Sequence, residues 1–120
     1  MPEPWDNLEV GQTFTLGGSN IDGLAVGPYR WPATLEIYAW HTGAKTGEGN
    51  SAHLALNYDG AEVARVEDAN FDNYSLPIPR TAYLAAGAST AVSISYGNVM
   101  ADKRSHGLQV TVKRIKPPAA

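Results

Sequence analysis

The chain has no cysteine. That removes disulfides, thiolate metal sites and a cysteine nucleophile, and it leaves the redox compartment open. No apolar run approaches the ~18 residues of a membrane-spanning helix, so no span is expected. No segment carries a sustained 3.6-residue apolar period. The most helix-like piece, residues 83–90 (YLAAGAST), is cut short by Gly87. The opening MPEPWDNLEV has neither a basic nor an apolar leader region. The expectation is a protein made without a secretory signal, or a piece of a longer chain with an added Met. There is no G-x-S-x-G and no nucleophile at a strand-to-helix turn, so no enzyme activity is expected. The GAKTGEG run at 43–49 is not a phosphate loop, because Ala44 precedes Lys45 and a strand pattern follows where a helix should open.

What is present is β-patterned. At 120 residues the chain is expected to form one domain, 1–120, with 116–120 a frayed tail. Residues 92–96 alternate Val92, Ile94 and Tyr96 with Ser93 and Ser95. Residues 108–112 alternate Leu108, Val110 and Val112 with Gln109 and Thr111. Period-2 alternation points one face of a strand at a core and the other at water. The two runs read as an antiparallel hairpin joined by a loop over 97–107. Residues 8–16 read as a first strand with Gly11 as a bulge, ended by Gly17-Gly18-Ser19-Asn20. Residues 21–32 read as irregular, with Tyr29 and Trp31 plugging an end of the fold. Residues 34–41 and 52–58 are strong strands, flanking a glycine-rich loop. Asp59-Gly60 then predicts a type I′ turn, placing Tyr58 opposite Ala61 and Leu56 opposite Val63. Leu76 and Ile78 alternate with Pro77 and Pro79, and proline cannot donate to a ladder, so this strand belongs at a sheet edge. The sum is a single antiparallel β-sandwich, immunoglobulin-like or jelly-roll, of about seven strands.

Net charge is −3, but the halves differ: residues 1–72 hold eleven acids and three bases, and 73–120 hold one acid and six bases. The overall acidity argues against nucleic-acid binding. The asymmetry suits opposite faces of one domain, or a dipolar surface that stacks head to tail with neighbouring copies or docks on a charged partner.

Several groups are candidates for chemistry. Glu67, Asp68, Asn70 and Asp72 form an oxygen-rich cluster able to supply calcium ligands, though without EF-hand spacing. Calcium is the only cofactor expected as possible. Lys103, Arg104 and His106 make the last long loop basic and suit an anionic partner. If 34–41 paired with 52–58, His41 and His53 would sit nearly opposite each other and could bind a divalent metal or respond to pH. Trp5, Trp31 and Trp40 could form a sugar-stacking platform, but the parity of Trp40 reads as core-facing. Asn73-Tyr74-Ser75 matches a glycosylation sequon by pattern.

The second half resembles the immunoglobulin-like repeat domains of large surface and secreted proteins of Gram-negative bacteria. The likeness is carried by Leu76-Pro77-Ile78-Pro79, then Gly87, then Val92-Ser93-Ile94-Ser95-Tyr96, then Ser105-His106-Gly107-Leu108-Gln109-Val110-Thr111-Val112. The first half departs from that pattern. The resemblance implies a non-catalytic adhesion or spacer module facing a protein or glycan surface, placed at the cell surface or outside the cell. A second likeness is to small calcium-dependent bacterial lectins of jelly-roll fold, whose last-loop ligand run is met only in part by Asn98, Asp102 and Ser105. A phage virion or tail-particle protein is the further alternative, suited by the missing leader and the uneven charge.

Overall fold

The computed structural model describes residues 8–44, 52–68, 73–97 and 105–117. Among them there is no helix, and eight strands form. In chain order they are β1 (Thr13–Ser19), β2 (Gly23–Val26), β3 (Ala33–Ala44), β4 (Ala52–Tyr58), β5 (Ala61–Asp68), β6 (Asn73–Leu84), β7 (Thr90–Gly97) and β8 (Ser105–Arg114). They build two four-stranded sheets, ordered β1-β8-β3-β6 and β2-β7-β4-β5. All described pairings are antiparallel. The expected β-sandwich is therefore the fold.

The pairing is nested. β4 meets β5, β3 meets β6, β2 meets β7 and β1 meets β8. The chain is one long antiparallel ribbon with Asp59-Gly60 at its tip. The ribbon is rolled so that β3 also meets β8 and β4 also meets β7. This is jelly-roll connectivity, one of the two topologies expected.

The core lies between the sheets. Leu35, Ile37, Ala39, Leu76, Ile78, Leu108, Val110 and Val112 face inward from the first sheet, and Val26, Leu54, Leu56, Val92 and Ile94 from the second. Each such aliphatic side chain contributes roughly 1.5–3 kcal/mol by leaving water. Where β3 begins, Tyr29 stacks on Trp31 at 4.9 Å and 10°, and Phe14 meets both edge-on. Both rings are buried, as a plug requires. The Arg114 guanidinium lies 5.8 Å from the Trp31 ring centre and donates to the Leu8 carbonyl.

Several expectations hold. β6 is an edge strand. Asp59 and Gly60 both have positive φ, 51° and 85°, as a type I′ turn needs. Tyr58 faces Ala61. Others are corrected. The eighth strand is β2, inside the segment read as irregular; four residues are too few to display alternation. Leu56 faces Ala64, not Val63, because a bulge between Leu56 and Asn57 shifts the register. The first strand starts at Thr13, Gly11 sits in a preceding turn, and Gly17 and Gly18 lie inside the strand, which Asn20 ends at φ 64°. The largest correction concerns β7 and β8. They are not a hairpin but belong to opposite sheets, each flanked by two other strands. Their alternation is that of interior strands, and alternation alone does not identify a partner. Past β8, Lys116 and Pro117 carry no strand, and residues 118–120 lie outside the described residues.

Candidate functional site

The solvent face of the first sheet is built by the second parity of its strands. On β3, Leu35, Ile37, Ala39 and His41 point inward, so Thr34, Glu36, Tyr38 and Trp40 point outward. The ladders align them with their neighbours. Tyr38 lies between Gln109 on β8 and Pro79 on β6, and Glu36 lies between Thr111 and Thr81. Trp40 lies between Gly107 and Pro77, and Thr34 between Lys113 and Tyr83.

Trp40 was expected in the core and is instead on this outer face, half-buried. Apolar residues occupy both parities of 34–41, so parity alone could not assign it. Its indole fills the space over Gly107, where any Cβ would overlap the ring. Tyr38 stacks beside it at 5.6 Å and 24°, with 44% of its surface exposed. Tyr83, at 56%, is the other large exposed ring on this face. Tyr83 lies opposite Thr34, four residues along β3 from Tyr38, so the exposed rings stand at two points of the same face.

Next to Tyr38 the face dips into a cleft of about 340 Å³, lined by Glu36, Tyr38, Pro79, Thr81, Gln109 and Thr111, with backbone from Ile37 and Arg80. Among the described residues the side chains of Glu36, Tyr38, Thr81 and Gln109 show no hydrogen bond within the chain, and all four are exposed. The cleft therefore offers a carboxylate, an amide and three hydroxyls beside an aromatic wall.

The histidines fall elsewhere. His41 and His53 are on different sheets and do not pair, since β3 and β4 share no ladder. His41 instead faces His106 across β3–β8. Their rings lie 5.9 Å apart at 19°, and Tyr96 from the other sheet is 4.7 Å from His41 and 5.6 Å from His106. His41 is fully buried. The His106 side chain is 12% exposed, lies in β8 rather than on a loop, and its Nε2 is 2.9 Å from the Asp22 carboxylate. His53 lies opposite Glu67 and Gly97.

Of the calcium candidates, Glu67 is on the edge strand β5, 3.5 Å from the Arg65 guanidinium. Asp68 closes that strand, and Asn70 and Asp72 lie outside the described residues. Among the described residues no three His, Cys, Asp or Glu converge as metal ligands. The hydrogen bond from Arg65 to Glu62, at 2.8 Å, holds the Glu62 carboxyl below its ordinary range. Of the basic trio, Lys103 and Arg104 lie outside the described residues, as do Trp5 and the 45–51 loop. Glu36, Tyr38 and Gln109 belong to no motif visible in the sequence. Their signal was the outward row Thr34, Glu36, Tyr38, Trp40, legible once the inward row was settled.

No helix among the described residues is long and apolar enough to cross a membrane. No protein-family model matches the chain. A search of curated proteins likewise finds no match.

Proposed function

We propose that this chain is a non-catalytic binding module, serving adhesion or assembly in a bacterial surface or secreted system through the outer face of sheet β1-β8-β3-β6. One observation carries the reading. Tyr38, Trp40 and Tyr83 are held on a rigid sheet face, turned to solvent, with polar groups between them. A rigid aromatic surface gives contact area at little conformational cost, which is what recognition needs and what the fold itself does not require. The bacterial setting rests on the second-half likeness in sequence alone.

A virion decoration or tail-particle role is the second reading. It is favoured by the jelly-roll strand order, which capsid and lectin domains share, although fold by itself does not imply function. In the calcium-lectin version, millimolar calcium raises the melting temperature, and Asp68→Asn with Asp72→Asn abolishes the rise.

The test is retention of Gram-negative cells and envelope fractions on the immobilised chain. Tyr38→Ala with Tyr83→Ala should lower retention and leave the melting temperature unchanged. Equal retention by the variant would remove this face as the contact. Steady release of soluble product from the envelope fraction would make the chain an enzyme instead. Lys103→Glu with Arg104→Glu tests the basic loop as a contact for an anionic partner or a neighbouring copy.

A further inference from the structure

We infer that the Tyr38 cleft is a binding site for an extended, neutral polysaccharide, engaged without calcium. The inference rests on the recognition reading above and names its ligand. Four observations carry it.

The first is chemical class. A pyranose ring has an apolar C–H face and a girdle of hydroxyls. It is matched by an aromatic ring beside planar groups that take two neighbouring hydroxyls at once. Tyr38, backed by Trp40, supplies the ring. Gln109 and Glu36, in adjacent rows of the same face, supply a planar amide and a planar carboxylate. Thr81 and Thr111 add hydroxyls on either side of Glu36.

The second is charge. The ionised side chain facing the cleft is Glu36, since Arg80 shares the inward parity of Leu76 and Ile78 on β6. The Arg80 guanidinium acts instead on the Tyr58 hydroxyl of the other sheet. A strongly anionic chain would meet the Glu36 carboxylate directly. A neutral ligand has no such penalty.

The third is shape. The outward row from Glu36 to Trp40 extends roughly 14 Å along β3 at the strand rise. It lies on a sheet face rather than in a closed pocket, so it suits an internal stretch of a flat, β-linked chain over a coiled one.

The fourth is separation from the calcium candidates. Glu67 and Asp68 end β5 on the other sheet, the rest of the run precedes Asn73 in sequence, and the cleft meets β6 from Pro79 onward. From Asn73 to Pro79 is roughly 20 Å of strand. A chelator should therefore leave binding intact.

The experiment uses the full chain against three soluble hexasaccharides: a β-1,4-linked glucan, a β-1,4-linked xylan and an α-1,4-linked glucan. Binding is read by calorimetry and by tryptophan emission, with and without EDTA. The expected result is saturable binding of at least one β-linked chain, stronger than the α-linked one and indifferent to EDTA. Tyr38→Ala and Gln109→Ala should each weaken it at least tenfold at an unchanged melting temperature, and Glu62→Ala, on the other sheet, should not. No binding at millimolar hexasaccharide overturns the inference, as does binding that survives both cleft variants or disappears with EDTA. If the chain still retains cells through Tyr38 and Tyr83 while all three sugars fail, the glycan assignment falls and the recognition module stands.

Discussion

The indole of Trp40 on β3 lies directly over Gly107, its partner across the β3–β8 ladder. The contact exists because position 107 has no Cβ. It seats the ring against the sheet and sets Tyr38 beside it at 5.6 Å. One glycine thus shapes the aromatic end of the outer face.

Gly107→Ala is the direct test of that arrangement. The added methyl must displace the indole or the strand. A cost of about 1–3 kcal/mol is expected, in line with overpacking elsewhere. Tryptophan emission should shift to the red as the ring lifts into water. A native melting curve with native emission would show that the ring has another seat.

Asp59 should matter more than a turn residue usually does. Its carboxylate accepts from the Ala91 N–H at 2.8 Å and the Thr90 hydroxyl at 3.1 Å, and its own N–H donates to the Ala91 carbonyl at 2.7 Å. The tip of the ribbon is thereby tied to the start of β7. Asp59→Ala should cost roughly 1–2 kcal/mol, as two accepted bonds are lost. Gly60→Val should cost about 1 kcal/mol or more, because a β-branched residue resists positive φ. Chemical denaturation midpoints measure both. An unmoved midpoint for Asp59→Ala would mean that water replaces the carboxylate.

His41 is buried against His106 and Tyr96, between the sheets. His41→Ala removes a packed ring from that end of the core. The expected loss is about 2 kcal/mol or more, the range for large-to-small core changes. Asp22→Asn should cost under ~1 kcal/mol, since Asp22 is largely exposed and its contact with His106 Nε2 is open to solvent. The ranking of the two, read from thermal melts, checks which of them holds that end together.

Stability should fall in alkali. Burial pushes the hydroxyls of Tyr29 and Tyr58 above the ordinary 10.0, against an opposing hydrogen bond at Gly27 for the first and the Arg80 guanidinium for the second. A raised folded value means that the native state holds its phenolic protons after the unfolded chain has released them. The contribution is whole below pH 10 and is lost as pH climbs through the raised values. Tyr29→Phe with Tyr58→Phe should flatten the decline between pH 10 and higher pH. A decline of unchanged slope would place its source in other groups.

Sequence alone was enough for what depends on neighbours along the chain. Alternation marked β4, β7 and β8, because successive side chains must take opposite sides of a strand. Asp59-Gly60 announced its turn through the φ values those two residues tolerate, and Pro77 and Pro79 placed β6 at an edge through the hydrogen bonds they cannot donate. Tertiary structure decided whatever depends on partners. Period 2 says that Val92 and Val110 face a core, but not that they reach it from opposite sheets. It leaves two apolar parities on 34–41, and only the nested pairing turned Ile37 inward and Tyr38 and Trp40 outward. The same pairing put His41 against His106 instead of His53, because β3 and β4 fold onto different sheets. The ladders that carry the outer face join residues far apart in the chain. Tyr38 and Gln109 are neighbours only because β8 returns between β1 and β3, and nothing local to either residue encodes that return.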